Sequence, residues 1–185
     1  MLPQGFALIP GWLIPSVSDT AVADIEQAIP WRHETIKMFG REVMQPRLTS
    51  WMGDAPYTYS GRRHDPAPTP AIVRMLQAEA EAIANKHFNS VLANQYRDGQ
   101  DSVAWHSDDE PELGAEPTIA SLSLGASRNF KIKRKSDGKV WTITLGHGDL
   151  LVMSGASQRD YLHSVPKTKR VCGERINLTF RHIAA

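Results

Sequence analysis

The chain has 185 residues, 41% of them hydrophobic and 22% charged, with a net charge of +1. That length fits one domain with a real core, and so small a net charge excludes any bulk electrostatic attraction to nucleic acid, leaving only local clusters. The single cysteine, Cys172, excludes an internal disulfide, and no run reaches membrane-spanning length.

The opening "MLPQGFALIPGWLIP" is apolar but has no charged start and is interrupted by Pro3, Pro10 and Pro15. It does not read as a secretory signal, so a cytoplasmic location is expected. "SVSDTAVADIEQAIP" predicts a helix with Ser and Asp caps, an apolar face of Val22, Ile25 and Ile29, and a stop at Pro30. Residues 31 to 67 are rich in Arg, Gly, Pro and aromatics, which predicts short strands and long loops suited to a binding surface. A second helix is predicted in "TPAIVRMLQAEAEAIANKHF", with Thr69 as N-cap, Pro70 at the first helical position, and Ile72, Leu76, Ala80 and Ile83 on one face.

Beyond Asn89 the texture becomes β-like: "VLANQY", "TIASLSLGA", "RNFKIKR", "KVWTITL", "DLLVMS" and "RINLTFRHI". Asp137-Gly138 marks a hairpin between the third and fourth. The expected fold is mainly β with flanking helices (α+β), an antiparallel sandwich or jelly roll. One domain over 1–185 would divide into helices and loops over 1–90 and a β core over 91–185.

His106-x-Asp108 places an imidazole and a carboxylate on the same side of a strand end. His163, in "DYLHSVP", is the best second imidazole, whereas His147 in "LGHGD" sits in a turn-like context and reads as structural. Two histidines and one carboxylate on a β scaffold describe the facial triad that holds iron(II) with open positions; zinc is the competing metal. In "ERINLTFRH", Arg175, Asn177, Thr179 and Arg181 share one face. Two inward arginines meet an anionic ligand, pair with a carboxylate on a neighbouring strand, or face solvent after all.

Taken together, Asn94-x-Tyr96-x-x-Gly99, His106-x-Asp108, "ASLSLG", His163 and "RINLTFR" resemble, in order and over residues 38 to 183, the AlkB family of iron(II)- and 2-oxoglutarate-dependent dioxygenases. The resemblance implies a double-stranded β-helix (jelly roll) with an N-terminal nucleotide-recognition lid. It implies iron(II) on His106, Asp108 and His163, with dioxygen as co-substrate. It also implies 2-oxoglutarate on Asn94, Tyr96, Arg175, Asn177, Thr179 and Arg181; Arg175 on the distal carboxylate and Arg181 near the metal is the favoured arrangement, though the sequence does not separate the two. The implied reaction is oxidative demethylation of bases such as 1-methyladenine or 3-methylcytosine in DNA, releasing formaldehyde while 2-oxoglutarate becomes succinate and carbon dioxide.

On the substrate side, "PYTYSG" resembles a segment of the lid, so Tyr59 would stack on an extruded base, with Tyr57 and Trp51 nearby. "MFGREVMQPR" resembles the hairpin of the duplex-repairing eukaryotic members, which makes Phe39 a finger filling the space of the extruded base. Asp109 would face a cationic methylated base, and "KTKR", with Lys169 and Arg170, would meet phosphates. RNA, a protein or a small molecule are alternative substrates for the same core, and a non-catalytic jelly-roll binding module is the rival of another class. A monomer is expected.

Overall fold

The fold was analysed on a computed structural model that describes residues 1–184 apart from 39–40, 55–56 and 60–61; within 36–38, 57–59 and 62–64 it describes the backbone alone. In chain order the elements are β1 (Phe6–Ile9), α1 (Pro15–Ala28), β2 (Thr35–Met38), β3 (Arg41–Met44), β4 (Leu48–Gly53), β5 (Tyr57–Tyr59), β6 (Arg62–His64) and α2 (Ala71–Ala84). There follow β7 (Ser90–Tyr96), β8 (Val103–His106), β9 (Ile119–Gly125), β10 (Arg128–Arg134), β11 (Val140–Leu145), β12 (Asp149–Met153), the single-turn helix α3 (Ser157–Asp160), β13 (Tyr161–Val165) and β14 (Arg175–Arg181).

A six-stranded sheet runs β1-β12-β9-β14-β7-β4 and a four-stranded sheet runs β11-β10-β13-β8, with all pairings antiparallel. This is the expected mainly β jelly roll with helices outside. All six strands anticipated beyond Asn89 are present, and Gly138 adopts φ +73° in the turn that joins β10 to β11. That conformation suits a residue without Cβ. Two small hairpins, β2–β3 and β5–β6, occupy the segment read as short strands and loops. No described helix is long and apolar enough to cross a membrane.

Two cores follow from strand alternation. The outer face of the larger sheet packs Met52, Leu122, Leu178 and Phe180 against Ile25, Val73 and Leu76 of the helices. The space between the sheets holds Ile119, Phe130, Ile132, Leu145, Leu151 and Met153. β14 is central in the larger sheet and buried on both faces, so its alternation separates an apolar face toward the helices from a polar face toward the other sheet.

The helix starts differ from expectation. α1 begins at Pro15 with Ile14 as N-cap and no side-chain cap; Ser18 bonds back to the Ile14 and Pro15 carbonyls. Proline's fixed φ nucleates the turn ahead of the serines. In α2 the N-cap is Pro70 rather than Thr69, whose carbonyl accepts from Arg74. Val73, Leu76 and Ala80 form the buried face, Ile72 and Ala84 are partly covered, and Ile83 is 48% exposed because the stripe continues from Ala80 to Ala84 rather than to Ile83.

Candidate active site

The cavity between the sheets is lined by β7, β8, β13 and β14, and it brings the sequence-predicted triad together. In register, His163 of β13 lies opposite His106 of β8, and their ring centroids are 4.2 Å apart. One ligand atom from each of His106, Asp108 and His163 falls within 4.8 Å of the others. His106 Nδ1 donates to the Ala104 carbonyl at 2.8 Å, which leaves its Nε2 lone pair directed at the Asp108 side, 3.7 Å from Oδ1. Burial, reinforced by His106, pushes the His163 pKa down to about 3, so the imidazole is neutral and available as a ligand. Burial alone would raise the Asp108 pKa, but Arg181 and then the two histidines hold it below the ordinary range, keeping the carboxylate ionised. This nitrogen and oxygen donor set fits iron(II).

The two arginines of β14 divide the alternatives left by the sequence. Arg181 meets a carboxylate of the chain itself, donating through Nη2 to Asp108 Oδ2 at 2.8 Å while lining the cavity. Arg175, 2% exposed, donates Nη2 to Ser123 Oγ at 2.8 Å and lies 5.1 Å from the Tyr96 ring centroid, a cation–π contact. Its Nε and Nη1 have no acceptor among the described residues, and burial lowers its pKa. A buried cation without a described acid is costly unless an anion arrives. The distal carboxylate of 2-oxoglutarate fits that position.

The remaining predicted co-substrate residues also line this cavity. The Asn177 amide is already engaged: Nδ2 donates to Ser121 Oγ and the Leu122 carbonyl, and Oδ1 accepts from Thr179. These two residues brace the wall. Asn94 Oδ1 accepts from Arg47 Nε at 2.7 Å, which turns its amide nitrogen away from Arg47. Arg47 was missed by sequence reasoning. It lay in a segment read as loops, and only the pairing of β4 with β7 reveals its place.

Gln158 was missed as well. Its buried Oε1 accepts the Asp108 backbone N–H at 3.0 Å and fixes the loop that carries the metal carboxylate.

The predicted substrate residues are more scattered. Trp51 shares the cavity-facing side of β4 but packs with Leu113 and Ile183, outside the cavity lining. Asp109 is exposed, accepts from Ser107 and lies 3.8 Å from Lys135. Lys169 and Arg170 are exposed on a loop anchored by the Thr168 N–H to the Gly99 carbonyl. Phe39 and the side chains of Tyr57 and Tyr59 lie outside the described residues. His147 is structural as expected: Nδ1 accepts the Gly125 N–H and Nε2 meets Asp19 on α1.

Residues 5–181 match the 2OG-Fe(II) oxygenase superfamily. The chain is 41% identical over 196 residues to "Alpha-ketoglutarate-dependent dioxygenase alkB homolog 3" of Bos taurus, a match covering 99% of this chain and 68% of that protein. It is 40% identical over 190 residues to "DNA oxidative demethylase ALKBH2" of Arabidopsis thaliana, covering 85% of this chain and 59% of that protein. The chain thus spans about three fifths to two thirds of the curated relatives it matches. The solved structure of OsALKBH1 superposes with a TM-score of 0.65 at 21% identity, over 98% of this chain and 100% of that one, and supports the jelly-roll fold. Family model, relatives, fold and triad agree: the chain belongs to the AlkB family within the 2OG-Fe(II) oxygenase superfamily, enzymes that use iron(II), 2-oxoglutarate and dioxygen.

Proposed function

We propose that this protein oxidatively demethylates N-methylated bases of the 1-methyladenine and 3-methylcytosine type in DNA. The observation that carries the reading is the coexistence, in one cavity, of the His106–Asp108–His163 group and a buried Arg175 whose Nε and Nη1 lack acceptors among the described residues. The relatives named for alkB homologues and DNA oxidative demethylases support the choice of substrate.

Iron(II), held by His106, Asp108 and His163, would with 2-oxoglutarate and dioxygen supply the oxidising chemistry that removes an N-methyl group as formaldehyde. The chain's own task is placement. His106 and His163 present neutral imidazoles, and Arg181 holds Asp108 ionised and oriented. Arg175 and the Tyr96 ring select a carboxylate at the far end, and Arg47 sets the Asn94 amide. Apolar Leu92, Val103 and Val165 limit water around these groups. Phe39, Tyr57, Tyr59, Trp51, Asp109, Lys169 and Arg170 are carried forward as substrate-facing residues of this proposal.

The test is mass spectrometry of oligonucleotides bearing one 1-methyladenine or one 3-methylcytosine after incubation with protein, iron(II), 2-oxoglutarate and ascorbate in air. Loss of the methyl group that depends on both iron and 2-oxoglutarate is expected. Succinate formation only with RNA, a protein or a small molecule overturns the DNA assignment.

A further inference from the structure

β8 is the edge strand of the smaller sheet, and its pairing is irregular. His163 pairs with His106 and Val165 with Val103, so Ala104 and Trp105 together stand opposite the single residue Ser164. A bulge of this kind re-aims side chains. Here it keeps both Val103 and His106 in the cavity lining and turns the intervening Trp105 outward, 37% exposed.

The indole faces a groove of about 450 Å³ whose walls include Arg47, Trp105, His106, Ser164, Pro166 and Lys167. Arg47, Val103 and His106 line both this groove and the inner cavity, so the groove adjoins the metal side of the site. Among the described residues no acidic side chain lines it, and it carries the cations Arg47 and Lys167. Lys133 sits 4.7 Å from the centroid of the Trp105 ring but is not part of the groove wall, so it steadies the indole without filling the groove.

A lone exposed tryptophan needs no explanation. A ring placed outward by a bulge, steadied by a lysine, and set in an acid-free groove one residue from a metal ligand is a different matter. Resting on the DNA reading above, we propose that Trp105 is a stacking platform for the base next to the methylated one in a single DNA strand, with Lys167 meeting the intervening phosphate. An aromatic face accepts any base, and the cation tracks the backbone without reading sequence, so the subsite extends the footprint while leaving sequence choice open.

The experiment measures KM for demethylation of single-stranded substrates of one, three and five nucleotides, each with a single 1-methyladenine, using wild type, Trp105→Leu and Trp105→Phe. In the wild type KM falls from one nucleotide to three. Trp105→Leu loses that gain, with KM for the trinucleotide up about tenfold, and Trp105→Phe retains most of it. A length dependence in Trp105→Leu identical to wild type overturns the platform, as does Trp105→Phe failing as badly as Trp105→Leu. Should Trp105→Leu not fold, wild type is photocrosslinked to a strand carrying 5-iodouracil beside the lesion. Attachment at Trp105 is expected, and attachment elsewhere alone overturns the inference. Wild type that demethylates none of these strands overturns the DNA reading and the platform together, whereas active wild type with an unaffected Trp105→Leu overturns the platform alone.

Discussion

The two ends of the polar face of β14 carry the same side chain in opposite circumstances. At the metal end Arg181 is answered from within the chain by Asp108, and Asp108 is held in turn by the Gln158 amide through its backbone. At the far end Arg175 has Ser123 and the Tyr96 ring, but no described acid. One end is answered within the chain, whereas the other carries an electrostatic deficit that, on the proposed function, a diffusible dicarboxylate would relieve. Burial of a charge therefore means structure in one place and recognition in the other, and only the partner list distinguishes them.

The largest effect should come from breaking the complete end. Asp108→Ala removes a metal ligand and leaves Arg181 buried without its acid, so turnover should be abolished and the fold should lose about 3–5 kcal/mol. Chemical denaturation alongside an activity assay checks both, and a variant of unchanged stability would refute the structural half of the pair. The incomplete end should behave in the opposite way. Arg175→Met should leave stability unchanged or raise it while KM for 2-oxoglutarate rises about a hundredfold or more. Stabilisation of the wild type by saturating 2-oxoglutarate, about 2.7 kcal/mol at a hundred times Kd, should vanish in that variant. A variant as unstable as Asp108→Ala would dissolve the contrast.

A pH dependence of stability is also expected from the metal end. His163 is held neutral down to about 3, while the unfolded chain takes up its proton near the ordinary 6.5. Its contribution is therefore intact above about 6.5 and is lost as pH falls from there toward 3, by at most about 1.4 kcal/mol per pH unit. Urea denaturation of metal-free protein across that range should show the slope, and His163→Phe should flatten it.

Much of this was legible before any coordinates. His106-x-Asp108 and the alternation through β14 are local patterns, and a strand's period of two converts them into shared direction. Strand positions after Asn89 follow for the same reason. The helix caps were less legible: in α1 proline's preset dihedral starts the turn ahead of the serines, and in α2 the helix begins one residue later than expected, with Pro70 extended at the cap.

Ile83 fitted the apolar stripe of α2, yet the period allows a step of three or four from Ala80, and the core is met by Ala84 instead. Arg47, Gln158 and Arg128 were illegible for a deeper reason, since each is explained by partners distant in sequence. Arg128 is the plainest case, a buried guanidinium donating to the carbonyls of Asp98, Asp101 and Pro166 and so tying two loops that no motif links.

The same two loops also meet at a glycine. The loop at 166–170 lies flush against Gly99, where an added Cβ would come within 2.6 Å of the Thr168 carbonyl oxygen and 3.2 Å of the Arg170 carbonyl oxygen. The standing of Lys167, Lys169 and Arg170 relative to the groove is thus set by a missing methyl group seventy or so positions upstream in the chain. Replacing Gly99 with alanine alters no charge, yet the loop bearing this cationic surface has to shift to admit the methyl group.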